Sequence, residues 1–88
     1  MFRLWAKEWK DNRLVKDCVV TDTEEKTRTS KVLDSLGEVC HRFDLEVPIW
    51  LDKNIEDFKK HAKARFDQDS FIEEIPFDYL EIHVIEEA

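Results

Sequence analysis

Cys40 and His41 put a thiol beside an imidazole. A catalytic thiolate needs a nearby base, a cation or a helix start to lower its pKa. This pair falls late in a helical pattern, where neighbours project about 100° apart and do not bond to each other. Cys40 also lies on the apolar stripe of that helix. The residue types favour a buried thiol over a nucleophile. Zinc would need close-set ligands. Cys18, Cys40, His41, His61 and His83 are scattered instead, so no metal or other cofactor is expected. The acids Asp67, Asp69, Glu73 and Glu74 are dense enough to attract a cation, but they lack the glycine and ligand spacing of a calcium loop. Hydrolysis by paired carboxyls needs one acid held protonated, and consecutive acids on a polar connector do not establish that. No cluster rises to a catalytic signature, and the chain is read as a non-enzyme.

Two binding surfaces remain. Lys53, Lys59, Lys60, Lys63 and Arg65 form the one basic patch, with 59, 60 and 63 spaced for one helix face. Phosphate contacts use such groups. Arg13 and Lys16 extend the patch only if the first hairpin lies alongside. The second surface is aromatic. Trp5 and Trp9 are four apart, which on a strand puts both on one face with Lys7 between them. If Phe2, Leu4 and Ala6 face the core, the indoles face away from it, and Val15, Val19, Tyr79 and Ile85 are assigned to that same outer face. Tryptophan is enriched at interface hot spots. Either this surface binds a partner, or Trp50, Leu51 or the 66–75 segment folds over it.

The elements that position these residues follow from periodicity. Leu80, Ile82 and Val84 alternate with Glu81, His83 and Ile85, the pattern of a strand with one face on a core. Phe2, Leu4 and Ala6 begin a first strand that runs to about Trp9. Asp11 and Asn12 suit a turn, and Leu14 to Val20 reads as the second strand of a hairpin. Both faces of that strand are partly apolar, so the pattern does not fix its register. A capping box from Asp22 to Glu25 predicts a helix to His41 or Arg42, with Thr21 and Thr23 as rival caps. Its stripe is Val32, Leu33, Leu36, Val39, Cys40 and Phe43. Gly37 lies within it, and a close helix–sheet contact would explain a glycine there. Residues 45–51 are apolar, but Pro48 restricts them to an edge strand or a covering loop. Asp52 or Asn54 caps a second helix that ends near Arg65, with Ile55, Phe58 and Ala62 inward. Phe71, Ile72 and Ile75 supply a short strand or pack over a sheet edge.

The result is one α+β domain over residues 1–88. Its architecture is a two-layer sandwich of three to four mainly antiparallel strands and two helices, in the order β-β-α-(β)-α-β. That order resembles a β-grasp arrangement. The 88 residues carry a net charge of −7 and 42% apolar types, enough for one core. Residues 66–88 contain eight acids and no Lys or Arg, which disfavours nucleic-acid binding over most of the surface. No apolar run approaches a membrane span, and no signal peptide is expected. Two isolated cysteines are too few for a secreted scaffold, so free thiols and a cytoplasmic location are expected, with a single bridge as the alternative.

The stretches Phe71-Ile72-Glu73-Glu74-Ile75 and Phe77-Asp78-Tyr79-Leu80-Glu81-Ile82, with the start Met1-Phe2-Arg3-Leu4-Trp5, resemble a family of small uncharacterised proteins from Gram-positive anaerobic bacteria. The resemblance implies a bacterial cytoplasmic origin and transfers no catalytic residue. The leading expectation is a noncatalytic interaction or regulatory domain whose partner is a second copy or another protein. A weak nucleic-acid-associated factor using residues 53–65 and a small enzyme are the alternatives.

Overall fold

Asp11 and Asn12 have φ values of 51° and 61°, the left-handed pair that a two-residue type I′ hairpin turn requires. They join β1 (Phe2–Lys10) to β2 (Arg13–Asp22). The computed structural model describes residues 1–87. β1 and β2 pair antiparallel with a bulge beside Trp9, which places Val15 at the irregularity. The expected helix start at Asp22 is corrected. The Asp22 carboxylate accepts from the Glu24 amide in a local turn instead. Thr27 caps α1 (Arg28–Phe43), its hydroxyl accepting from the Ser30 amide at 3.2 Å. The helix closes at Asp44, which is left-handed with φ 55°. The Leu45 amide returns to the Cys40 carbonyl and the Asp44 amide to the His41 carbonyl, a Schellman closure made without glycine.

Residues 45–50 form no strand; they are the covering loop, with Pro48 buried and the Ile49 amide donating to the Ser70 carbonyl. Neither Asp52 nor Asn54 is the cap of α2 (Asp52–His61). Leu51 holds that position, and Asn54 reaches back from inside the first turn to accept from the Leu51 amide. The helix stops four residues earlier than expected. Ala62 turns left-handed at φ 53°, and Lys63–Phe66 is a strand, β3. A short 3₁₀ turn (Gln68–Ser70) leads through an irregular segment to β4 (Tyr79–Glu86). Phe71 and Phe77 meet edge to face at 6.1 Å within the core rather than forming a strand.

The sheet order is β2-β1-β4-β3, antiparallel at every pairing. The fourth strand therefore lies between α2 and the final strand, not between the helices, and the element order is β-β-α-α-β-β. Both helices cover the face carrying Leu4, Ala6, Ala64, Phe66, Leu80 and Ile82. Val32, Leu36, Val39, Cys40 and Phe58 complete the core from the helices. Leu33 departs from the expected stripe; it is 51% exposed beside a cleft between the helices. Gly37 also departs, since a Cβ built there meets nothing within 4 Å.

Glu8 is the buried charged member of β1 on the helix-facing side, its side chain only 4% exposed. Its Oε2 has no hydrogen bond, and Lys16 approaches no closer than 3.8 Å. Burial pushes the carboxyl above its ordinary pKa, partly offset by Lys16. A raised carboxyl pKa gives a penalty that is absent below the ordinary value and grows as pH rises through the raised one. Glu8→Gln should therefore raise stability at pH 7 by about 1 kcal/mol and leave it nearly unchanged at pH 4. Urea denaturation at the two pH values checks both parts.

Candidate interaction surface

The odd-numbered residues of β1 face away from the helices. Registers carry them across the sheet: Trp5 stands opposite Val19 on one side and His83 on the other, and Lys7 opposite Asp17 and Glu81. β3 extends both rows, with Lys63 beside His83 and Arg65 beside Glu81. Trp9 pairs with Tyr79 in the next row. The helices and the core side chains of the connectors pack against the opposite face. Trp50, an expected cover, stacks edge to face on Phe58 at 5.5 Å and Phe66 at 5.0 Å, on the helix side.

The side chains on this face bind one another. Lys7 Nζ is 3.1 Å from Glu81 Oε1 and 3.9 Å from the centre of the Trp5 ring. Arg65 Nε donates to Glu81 Oε2 at 2.9 Å, while its guanidinium lies 5.0 Å from the Tyr79 ring. Trp5 Nε1 donates to Asp17 at 2.8 Å and Trp9 Nε1 to Glu81 at 3.4 Å. The indoles thereby bury an ion pair on a face that no backbone layer covers: the Lys7 and Glu81 side chains are 11% and 5% exposed. Burial pushes the Glu81 carboxyl up, but hydrogen bonds from Arg65 and Lys7 outweigh it and hold the group below its ordinary pKa. Burial, then Lys63 and Lys7, push His83 down and keep its imidazole neutral near pH 7.

Of the six residues assigned from sequence to the outer face, the registers align Trp5, Trp9, Val19 and Tyr79 on it, while Val15 and Ile85 fall at the two register shifts. Trp5, Trp9, Val19 and Tyr79 are half-buried, and Val15 and Ile85 are exposed beside bulges near opposite ends. Sequence reasoning missed the ion row that organises them. Its only trace was Lys7 between the indoles, because Glu81 and Arg65 reach it through strands distant in sequence.

The basic patch is corrected. Lys53, Lys59 and Lys60 are on α2, but Lys63 and Arg65 belong to β3 and point from the outer sheet face. Lys53 is paired with Asp67 at 2.8 Å and Arg65 with Glu81. Arg13 and Lys16 lie on β2, at the opposite edge of the sheet.

The candidate chemical groups are not brought together. Cys18 and Cys40 are free thiols on the helix side, and burial pushes Cys40 up to about 11. Such a thiol is protonated at neutral pH and is a poor nucleophile. His41 and His61 are exposed on separate helices. A groove along β3 gathers His61, Asp57 and Glu81. Glu81 there is committed to Lys7 and Arg65, and His61 bonds to neither acid among the described residues. Among the described residues, no three His, Cys, Asp or Glu side chains converge to hold a metal ion. No family model, curated protein or solved structure matches the chain.

Proposed function

We propose that this protein is a noncatalytic interaction domain and that the outer sheet face, centred on Trp5, Trp9 and Tyr79, is its binding surface. The supporting observation is that both helices and the core side chains of the 45–50 and 71–77 segments pack on one side of the sheet, leaving on the other an aromatic face with its own preset ion pair. Rigid aromatic groups with half-exposed rings give large contact area at low entropic cost. The buried Lys7–Glu81 pair holds the indoles in place before a partner arrives, which reduces the ordering that binding must overcome.

A photo-crosslinking residue placed separately at Val15, Tyr79 and Glu56 in the full chain tests this in its native cells. Val15 and Tyr79 belong to the sheet face, and Glu56 is exposed on α2. Discrete adducts are expected from the two sheet positions and none from Glu56. Adducts from Glu56 alone, or from no position, would overturn the reading.

A further inference from the structure

The geometry points to a second copy of this chain as the occupant of the outer sheet face, docked about a two-fold axis lying near the strand direction. The inference rests on the interaction reading above and specifies its partner. Across the sheet from β2 to β3, Asp17, Lys7, Glu81 and Arg65 stand in register on one face. Their charges alternate in sign. An alternating row of four is antisymmetric about its midpoint, here the seam between β1 and β4.

Face-to-face docking of two copies allows two simple two-fold axes in the plane between the sheets. An axis across the strands sets each charge against its own image, so like meets like along the whole row. An axis along the β1–β4 seam sets Asp17 against the partner's Arg65 and Lys7 against the partner's Glu81. The exposed ends of the row, Asp17 and Arg65, then meet their opposites, and the buried Lys7 and Glu81 lie across from unlike charges beneath the indoles. The same operation brings Trp9 to the partner's Tyr79 and Trp5 to the partner's His83, whose imidazole is neutral. Aromatic groups thus meet on both sides of the ion row. Sheets packed face to face keep their strands within about 30° of each other, which this axis satisfies.

The ends of the row have capacity to spare. Asp17 is exposed and uses one carboxylate oxygen for the Trp5 indole. The Arg65 side chain is 64% exposed and bonds Glu81 through Nε, leaving both terminal nitrogens without a hydrogen-bond partner among the described residues. The charge of the whole chain supports the same surface. Two copies each at −7 repel. The outer face instead sets Arg3, Lys7, Lys63 and Arg65 against Asp17, Glu81 and Glu86. With four basic and three acidic groups, this face is near charge balance although the whole chain is strongly acidic. Four strands about 4.8 Å apart and averaging about eight residues, with β3 only four, give a platform of roughly 500 Å² per copy. The pair buries about 1,000 Å², the lower end for a specific interface, so affinity in the micromolar range is expected.

Sedimentation of the full chain, diluted from about 1 mM to about 1 μM, tests the association across the expected range. Asp17→Lys sets lysine against the partner's Arg65, and Arg65→Asp sets aspartate against the partner's Asp17. Each variant alone should raise the dissociation constant about tenfold or more. An equimolar mixture should restore association, because the new lysine then meets the new aspartate while the native arginine meets the native aspartate. A folding defect in either variant would not be cured by adding the other. Wild type that stays monomeric throughout, or a mixture no better than its components, would overturn the inference. If wild type is monomeric while Val15 and Tyr79 still crosslink to a different protein, the second-copy inference falls and the interaction reading stands. If those adducts are absent too, both fall.

Discussion

Glu81→Ala lowers the stability of the fold by about 3 kcal/mol, toward the lower end of the range for breaking a buried ion pair. The substitution leaves Lys7 nine-tenths buried between indoles without its ion-pair partner, and it removes the acceptor of Arg65 Nε and Trp9 Nε1. The lower end applies because the face has no second layer, so Lys7 can swing its ammonium toward water once released. A compensated variant separates charge from packing. Lys7→Met with Glu81→Leu replaces the pair by apolar groups and should recover most of the loss. Urea denaturation of the single and double variants gives the comparison. Acid titration gives a second readout. Glu81 is held below its ordinary pKa. Its contribution is present above the ordinary carboxylate value and is lost as pH falls through the lowered one. The wild type should therefore lose more stability on acidification than the double variant does.

Asn54→Ala is expected to destabilise by about 2–4 kcal/mol, because three buried or half-buried polar groups lose their partner together. Asn54 is 1% exposed. Its Oδ1 accepts from the Leu51 amide at 2.9 Å and from the Ser70 hydroxyl at 3.3 Å, and its Nδ2 donates to the Arg65 carbonyl at 2.8 Å. One side chain thus ties the start of α2, the strand β3 and the 3₁₀ turn. Asn54→Asp keeps the shape but turns the Nδ2 donor into an acceptor aimed at the Arg65 carbonyl, so it should not rescue the fold. Amide exchange should show β3 and the first turn of α2 losing protection before β1 and β2 in either variant. Equal loss across the whole sheet would contradict the local role.

Strong periodicity made β1, β4 and the body of α1 legible, and the Asp11-Asn12 turn signal made β2 legible as the second strand of a hairpin. The alternation of Leu80, Ile82 and Val84 and the stripe of Val32, Leu36 and Val39 each extend over several repeats. β3 was hidden because Ala64 and Phe66 alternate over only four residues, directly after a lysine-rich helix. The break between them is Ala62, a residue that seldom adopts positive φ and carries no turn signal. The α1 start was misplaced because Asp22 is a good cap by type but spends its carboxylate on a local turn. For the surface, strand parity was enough to gather the aromatic and aliphatic groups. It was not enough to align Asp17, Lys7, Glu81 and Arg65, since that needs the order of four strands and the register of each.

The place of β4 in the sheet has a consequence for synthesis. β1 and β3 touch no common strand except β4, which pairs with both. A ribosome makes the hairpin, both helices and β3 before residues 79–86 appear. Until then the growing polypeptide holds an exposed β1 edge and a β3 with no neighbour. The central slot fills only when the last-made of these four strands leaves the exit tunnel, so the sheet closes in one step after the other elements of the domain have been made.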